Sequence, residues 1–482
     1  MRPNPKFRRA GLLGLLPLIC LALHGAHAGS ATWNLNPVSG DWNDPANWTP
    51  NTVPDGPDDV ATFGPSSITA ISIGSFIELH SLVIGAGASA FTFNVHSGSL
   101  LTFSGTGIAN SSGLIQNFTG DDQGDGPGAF QFNGFSTAGT DTFFTNTWLT
   151  NFDQNGSAGN ATISCVGGSS YFYGNSTAAN ATIIANGTNG GFSLVSLGSG
   201  TAANATLIAT DGGEIALGFI GTGGPNTARV ALHHNGNLTV SGGSIGSLEG
   251  DGLVILFPFA NLSIGANNLS TTFSGKIKGD TPFSDPAGKG GAITKEGTGT
   301  LTLSGHCTYK NGTTITAGTL LVANERGSGT GNGLVNVSGG TIAGGGIIAG
   351  NVEVGTSTGV EGFLAPSEGM QKPATLTIQK ALVLSGQSTY SCKLNTNRAV
   401  SDEVIANGVT IDSGAMFSLD PQGNKALTLG QVFTVIDNSA TTPIAGAFDN
   451  LPDDEILIVN GSKLQASYSG GDGNDLTLTV VP

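Results

Sequence analysis

The sequence predicts an all-β chain wound as a right-handed parallel β-helix, and three observations carry that prediction. First, one phrase recurs as Asn160-Ala161-Thr162-Ile163, Asn180-Ala181-Thr182-Ile183 and Asn204-Ala205-Thr206-Leu207. It drifts to Asn226-Thr227-Ala228-Arg229-Val230 and has a degenerate earlier copy at Thr140-Asp141-Thr142-Phe143. Anchors at 140, 160, 180, 204 and 226 give a repeat of 20–24 residues, too short to bury a core alone and stable only when stacked. Second, Gly-rich turns (77 Gly in 482 residues) separate brief Val/Ile/Leu/Phe/Thr runs, the pattern of many short strands. Third, helical periodicity is absent beyond the first 28 residues.

A coil of this length fits three short strands and their turns, with equivalent positions stacked about 4.8 Å apart. Stacking gives the recurrent asparagine a purpose. An amide carries a donor and an acceptor, so Asn160, Asn180, Asn204 and Asn226 are expected to form a ladder of amides in successive coils. Asn-Ala-Thr also fits a glycosylation acceptor, but recurrence at coil spacing favours the ladder.

In chain order, residues 1–28 read as a secretory signal peptide. Arg2, Lys6, Arg8 and Arg9 precede an apolar run from Ala10 to Leu23, and Ala26-His27-Ala28 is a small-residue cleavage site. Cys20 lies within the apolar run and lacks the small neighbour expected of a lipidated cysteine. Residues 29–65 hold three of the four tryptophans, Trp33, Trp42 and Trp48. Such rings can stack on sugars, or can cap the raw end of a β-array, the plainer reading. Residues 66–287 carry alternating strands and the Asn-Ala-Thr coils. A second repeat style occupies 288–366, where Gly-Thr-apolar steps begin at 299, 318 and 340. Residues 367–482 continue the strands into a C-terminal cap.

The segment Ile293 to Val322, with Gly297-Thr298-Gly299-Thr300-Leu301-Thr302-Leu303-Ser304-Gly305, Tyr309, Thr313-Thr314 and Ala317-Gly318-Thr319-Leu320, resembles the autotransporter-associated β-strand repeat. This family, also called the passenger-associated transport repeat, occurs in bacterial secreted proteins. Asn332 to Val354 and Leu364-Ala365-Pro366 extend the likeness. The resemblance implies a β-helical passenger exported to the cell exterior. It also implies a C-terminal translocator barrel, for which no alternating outer-membrane strands are seen. Release, a periplasmic location or export by a separate machine is therefore expected.

Charge narrows the partners. Signal cleavage would take the formal net charge from −16 to −20, which leaves no footprint for nucleic acid or anionic membranes. No later stretch is long and apolar enough to form a transmembrane helix. Cys165, Cys307 and Cys392 are an odd, scattered set, neither disulfide framework nor zinc pattern, and read as buried small hydrophobes. One pair could close in an oxidising compartment.

Chemistry is sparse. Asp211, Glu214, Arg229, His233 and His234 are the one compact charged group and could meet across adjacent coils, but they match no lyase or pectin-hydrolase setting. Gly470-Gly471-Asp472-Gly473-Asn474-Asp475 matches one unit of a calcium-binding repeat, which makes Asp472 and Asp475 candidate ligands; a plain Gly-rich turn is the simpler reading. The acidic loop 120–126 reads as solvated, and His80, His96 and His306 as isolated. No catalytic residue and no cofactor is expected. The expectation is a secreted structural or adhesive rod facing glycans, cells or copies of itself. A carbohydrate-active enzyme on the same scaffold and a passive spacer are the alternatives.

Overall fold

The computed structural model describes residues 29–121, 128–188, 193–218, 226–279, 290–356 and 359–482. The expected signal peptide and most of the acidic loop 120–126 lie outside the described residues. Among them the only helical element is a single 3-10 turn, Pro45–Asn47.

Period-two burial puts one side of each strand inside the coil. In Asn160–Val166, Ala161, Ile163 and Cys165 face in while Asn160, Thr162 and Ser164 face out. Successive coils then pair in parallel. Ile163 is in register with Ile183, Ile183 with Leu207 and Leu207 with Val230. The chain is a parallel β-solenoid, as the repeat spacing predicts.

Two long ladders run along its coils. The first face links Gly56–Phe63, Phe76–Ile84, Leu100–Asn110, Ala129–Phe132, Leu149–Phe152 and Ser169–Phe172, and continues to Lys276–Gly279. The second face runs from Ala70–Ile73 through Thr92–Val95, Gln116–Gly120, Thr140–Asn146 and Asn160–Val166 to Met416–Gln422. The third side begins as single-residue bridges joining Gly107, Thr137, Ser157, Thr177 and Thr201. From Gly243–Ile245 onward it is a ladder of nine strands ending at Ala445–Gly446. The far end closes with antiparallel strands, Val432–Asn438 on Asp475–Val481, then Ser462–Gly470 and Ile456–Val459.

The small-residue phrase before each asparagine forms a corner. The Thr137, Ser157 and Thr177 hydroxyls accept from the N–H two residues on, at 3.0–3.1 Å. That next residue is left-handed: Gly139 at φ 83°, Gly159 at 60°, Ala179 at 50° and Ala203 at 46°. A side chain on Gly159 would meet the Gly139 carbonyl oxygen at 2.6 Å, so the corner demands a small residue.

Inside, phenylalanines stack at the coil step. Phe103, Phe132, Phe152 and Phe172 follow one another at centroid distances of 5.1, 4.8 and 4.7 Å, nearly parallel. A second column joins Phe93, Phe118 and Phe144 at 4.8 and 4.7 Å. Further along, Leu197, Leu217, Val240 and Leu256 occupy one inward column in register. Cys165, Cys307 and Cys392 are buried and free. Burial pushes the Cys165 thiol up to about 11 and Cys307 to about 12, and raises Cys392 further, which suppresses the reactive thiolate.

Candidate functional site

The tryptophans proposed as a sugar platform are core residues. Trp33, Trp42 and Trp48 are 0–2% exposed and pack edge-on or stacked against one another and Phe63. Their indole N–H groups donate to the Ile68, Pro54 and Trp42 carbonyls. No ring face is left for a sugar, so the sugar-stacking alternative has no surface at these rings.

The amide ladder exists, with one correction. Asn160 Nδ2 donates to Thr140 Oγ1 at 2.9 Å, Asn180 Nδ2 to Asn160 Oδ1 at 3.1 Å and Asn204 Nδ2 to Asn180 Oδ1 at 3.2 Å. The next rung is not Asn226 but Thr227, whose hydroxyl donates to Asn204 Oδ1. Asn226 is buried instead, and its Oδ1 accepts from the Ala202 and Ala203 N–H groups at 3.1 and 3.0 Å. There it takes the place of the next coil's Thr carbonyl, which accepts from Ala158 and Ala178 in earlier corners, and of the Thr hydroxyl that accepts from Ala179. The ladder lies on the exposed outside of the coil.

Asp475 is turned inward and its Oδ1 accepts from the Asn438 N–H at 2.9 Å. Asn474 Nδ2 bonds the Asn438 and Ala440 carbonyls. The calcium-like run thus turns one hairpin strand into the next, and its polar groups hold backbone. Among the described residues no three His, Cys, Asp or Glu side chains are arranged to hold a metal ion. The neighbouring carboxylates repel: burial raises Asp437, with Asp475 and Asp472 adding to it.

The compact charged group separates in space. Arg229 pairs with Glu249 one coil on, and His234 Nδ1 lies 3.4 Å from Asp211 Oδ1 at a corner. Glu214 is on the first face, where it accepts from Thr239 Oγ1 at 2.7 Å. They form pairs, not a centre.

What the sequence reading missed is an aromatic groove on the outside of the first face. Register aligns Phe76, Leu100, Ala129 and Leu149 in one outer column, and Thr102, Gln131, Asn151 and Tyr171 in the next. Phe76, Leu100, Gln131, Trp148, Leu149 and Asn151 line a groove of ≈ 340 Å³. It continues past Trp148 and Leu149 to Ser169 and Tyr171. Trp148 is 52% exposed and stands between the two halves. Beside it the Tyr171 and Tyr173 rings lie parallel, 5.6 Å apart. Among the described residues no ionisable carboxylate or amine lines either half, although the chain as a whole is acidic. Asn151 Oδ1 is buried at the groove wall without a hydrogen-bond partner, an acceptor whose desolvation is uncompensated.

Comparison with known proteins adds one local identification. Residues 293–322 match the passenger-associated-transport-repeat family. The transport repeat covers the strands Ala292–Lys295, Thr300–Leu303, Thr313–Ile315 and Thr319–Val322, the segment whose resemblance was read from sequence. Among curated proteins no relative matches. Among solved structures, the Haemophilus influenzae Hap adhesin matches at 11% identity and a TM-score of 0.30, over 88% of this chain and 59% of that one. The chain thus spans 59% of the adhesin's length. No helix among the described residues is long and apolar enough to cross a membrane.

Proposed function

We propose that the chain is a secreted, adhesive β-solenoid whose outer groove at Trp148 receives a neutral glycan strand. The observation that carries this reading is the uncharged aromatic strip, exposed on an otherwise acidic rod. Pyranose rings present C–H faces to aromatic planes and hydroxyls to amides, and the groove offers both. Trp148, Tyr171 and Tyr173 supply rings, and Gln131 and Asn151 supply amides, with Asn151 Oδ1 lacking a donor. From Phe76 to Tyr171 the strip crosses four coil steps, about 19 Å, long enough for a chain segment and not merely one sugar. The transport repeat at 293–322 supports export of such a rod.

Glycan-array binding of the mature chain tests the reading. Trp148 is the exposed tryptophan while Trp33, Trp42 and Trp48 are buried, so a glycan in the groove is expected to shift only its emission. Trp148→Ala is expected to weaken binding about tenfold or more, in line with the 1–3 kcal/mol that an aromatic stacking partner contributes. Binding to neutral glycans that is unchanged in Trp148→Ala overturns the placement.

A further inference from the structure

Three side chains treated as unrelated in the sequence meet on the outer wall of the second face. Ser72 lies in the strand Ala70–Ile73, His96 directly follows Thr92–Val95, and Asp121 directly follows Gln116–Gly120. These are three consecutive coils of one parallel ladder. Ser72 Oγ is 2.7 Å from His96 Nε2, and His96 Nδ1 is 2.6 Å from Asp121 Oδ2. The other carboxylate oxygen, Oδ1, accepts from the Ser97 N–H at 2.8 Å. Backbone ladder bonds fix each member, from His96 N–H to the Ile73 carbonyl and from Asp121 N–H to the Val95 carbonyl.

Proton counting sets the roles. An ionised carboxylate only accepts, so the imidazole proton facing Asp121 is on Nδ1. In the neutral ring Nε2 is then a bare acceptor, and the Ser72 hydroxyl must be the donor to it. That is the arrangement of a nucleophile held by its general base, with the base oriented by a buried-side carboxylate. Side-chain exposure is 43% for His96 and 26% for Asp121, so the base is accessible while the carboxylate is partly covered. Asn94 stands in the same outward column as Ser72, one coil on and in register with it. Its amide is a side-chain candidate to donate to an oxyanion formed at Ser72. Asp41, bridged to Ser72 from the preceding side, directs Oδ1 to its own Asn43 N–H at 3.0 Å.

We propose that Ser72, His96 and Asp121 form a serine-hydrolase centre for carboxylic esters. Ser72 Oγ attacks the ester carbonyl carbon as its proton passes to His96 Nε2. The tetrahedral adduct collapses, the alcohol leaves with that proton, and the acyl group stays on Ser72. Water then attacks the acyl carbon and gives its proton to His96. Ser72 leaves and recovers the proton, so ester plus water becomes acid plus alcohol. Asp121 is a positioning residue that holds the Nδ1–H tautomer. The centre is on the second face and the glycan groove is on the first, so each proposal stands or falls without the other.

The test uses the full mature chain, a fluorophosphonate probe and 4-nitrophenyl acetate. Expected results are a single adduct mapped to Ser72, and ester hydrolysis that falls to the buffer rate in Ser72→Ala. Asn94→Ala is expected to slow turnover about 10²-fold, and Asp121→Asn about 10²-fold or more. Nitrogen-15 spectra of His96 should show Nδ1–H in the parent and the other tautomer in Asp121→Asn, a change that a merely structural aspartate would not produce. His80→Ala, at a histidine outside the cluster, is expected to keep the parent rate. Absence of a Ser72 adduct on the parent protein, or equal hydrolysis by parent and Ser72→Ala of matched melting temperature, overturns the proposal. The adduct measurement needs no variant and decides the matter even if Ser72→Ala misfolds.

Discussion

The coils between residues 91 and 172 and the coils between 292 and 354, which include the transport repeat, solve the same packing problem with different interiors. In the first, flat rings repeat at the strand spacing, and Phe132, Phe152 and Phe172 lie at 4.8 and 4.7 Å with interplanar angles of 8° and 4°. In the second, the interior is aliphatic but holds polar groups. Lys295 occupies an inward column between Ile264 and Ile315. Its buried ammonium donates to the carbonyls of Glu296, Gly297 and Ala317 at 2.7, 2.9 and 3.1 Å. Nearby, Thr313 donates to the Thr330 carbonyl, so the buried Tyr309 hydroxyl must be the donor to Thr313 Oγ1 at 2.6 Å. A ring column is continuous through many coils, whereas a lysine clamp binds one corner to the next. The first interior resists loss of volume poorly; the second responds to protons.

The largest effect is expected where the ring column is interrupted. Phe152→Ala removes a ring with neighbours on both sides and should cost about 3–5 kcal/mol, read from urea or thermal unfolding. A loss below about 1 kcal/mol would show that the column relaxes around the gap.

Next comes Lys295, whose pKa burial lowers to about 8 from 10.5. Between those two values the unfolded chain binds more protons than the folded one, so this group makes stability rise with pH over that window. Below about pH 8 the cost of burying the charge is fully present, and it vanishes above about 10.5. The gain across the window is about 3 kcal/mol. Buried thiols and tyrosines titrate in the opposite sense, since their folded pKa values are raised. The useful measurement is therefore the difference between parent and Lys295→Met at each pH. A difference that stays flat from pH 8 to 10.5 would remove the charged lysine from the account.

Outside the coil, in the neighbouring Asn-Ala-Thr coils, the effects should be small. Asn180→Ala breaks two exposed rungs of the amide ladder, and about 0.5–1 kcal/mol is expected. A loss several times larger would mean that the outer ladder rivals the ring column.

Much of the fold was legible because side chains alternate along a strand and equivalent residues recur one coil apart. Asn160, Asn180 and Asn204 announced that spacing. Asn226 misled because the residue type recurs while the corner slips by one position, which moves its amide from the ladder into the turn. The tryptophans were left with two readings because composition does not say which way a ring points. Neither the groove nor the Ser72 cluster was visible in any local motif, since each is assembled by register. Yet the separations from Ser72 to His96 and from His96 to Asp121 are 24 and 25 residues, one coil each. Searching for reactive residue types at the coil period would have found them.

The amide ladder has a direction. Each side-chain nitrogen in it donates toward the amino-terminal neighbour, from Asn204 to Asn180, to Asn160, to Thr140. Any unit therefore presents the same acceptor to whatever follows it and the same donor to whatever precedes it. A 20-residue unit can be removed or duplicated and the severed bonds rejoin in the same sense, with the rod changed by about 4.8 Å. Such a wall is a molecular ruler, one whose length is counted in whole coils.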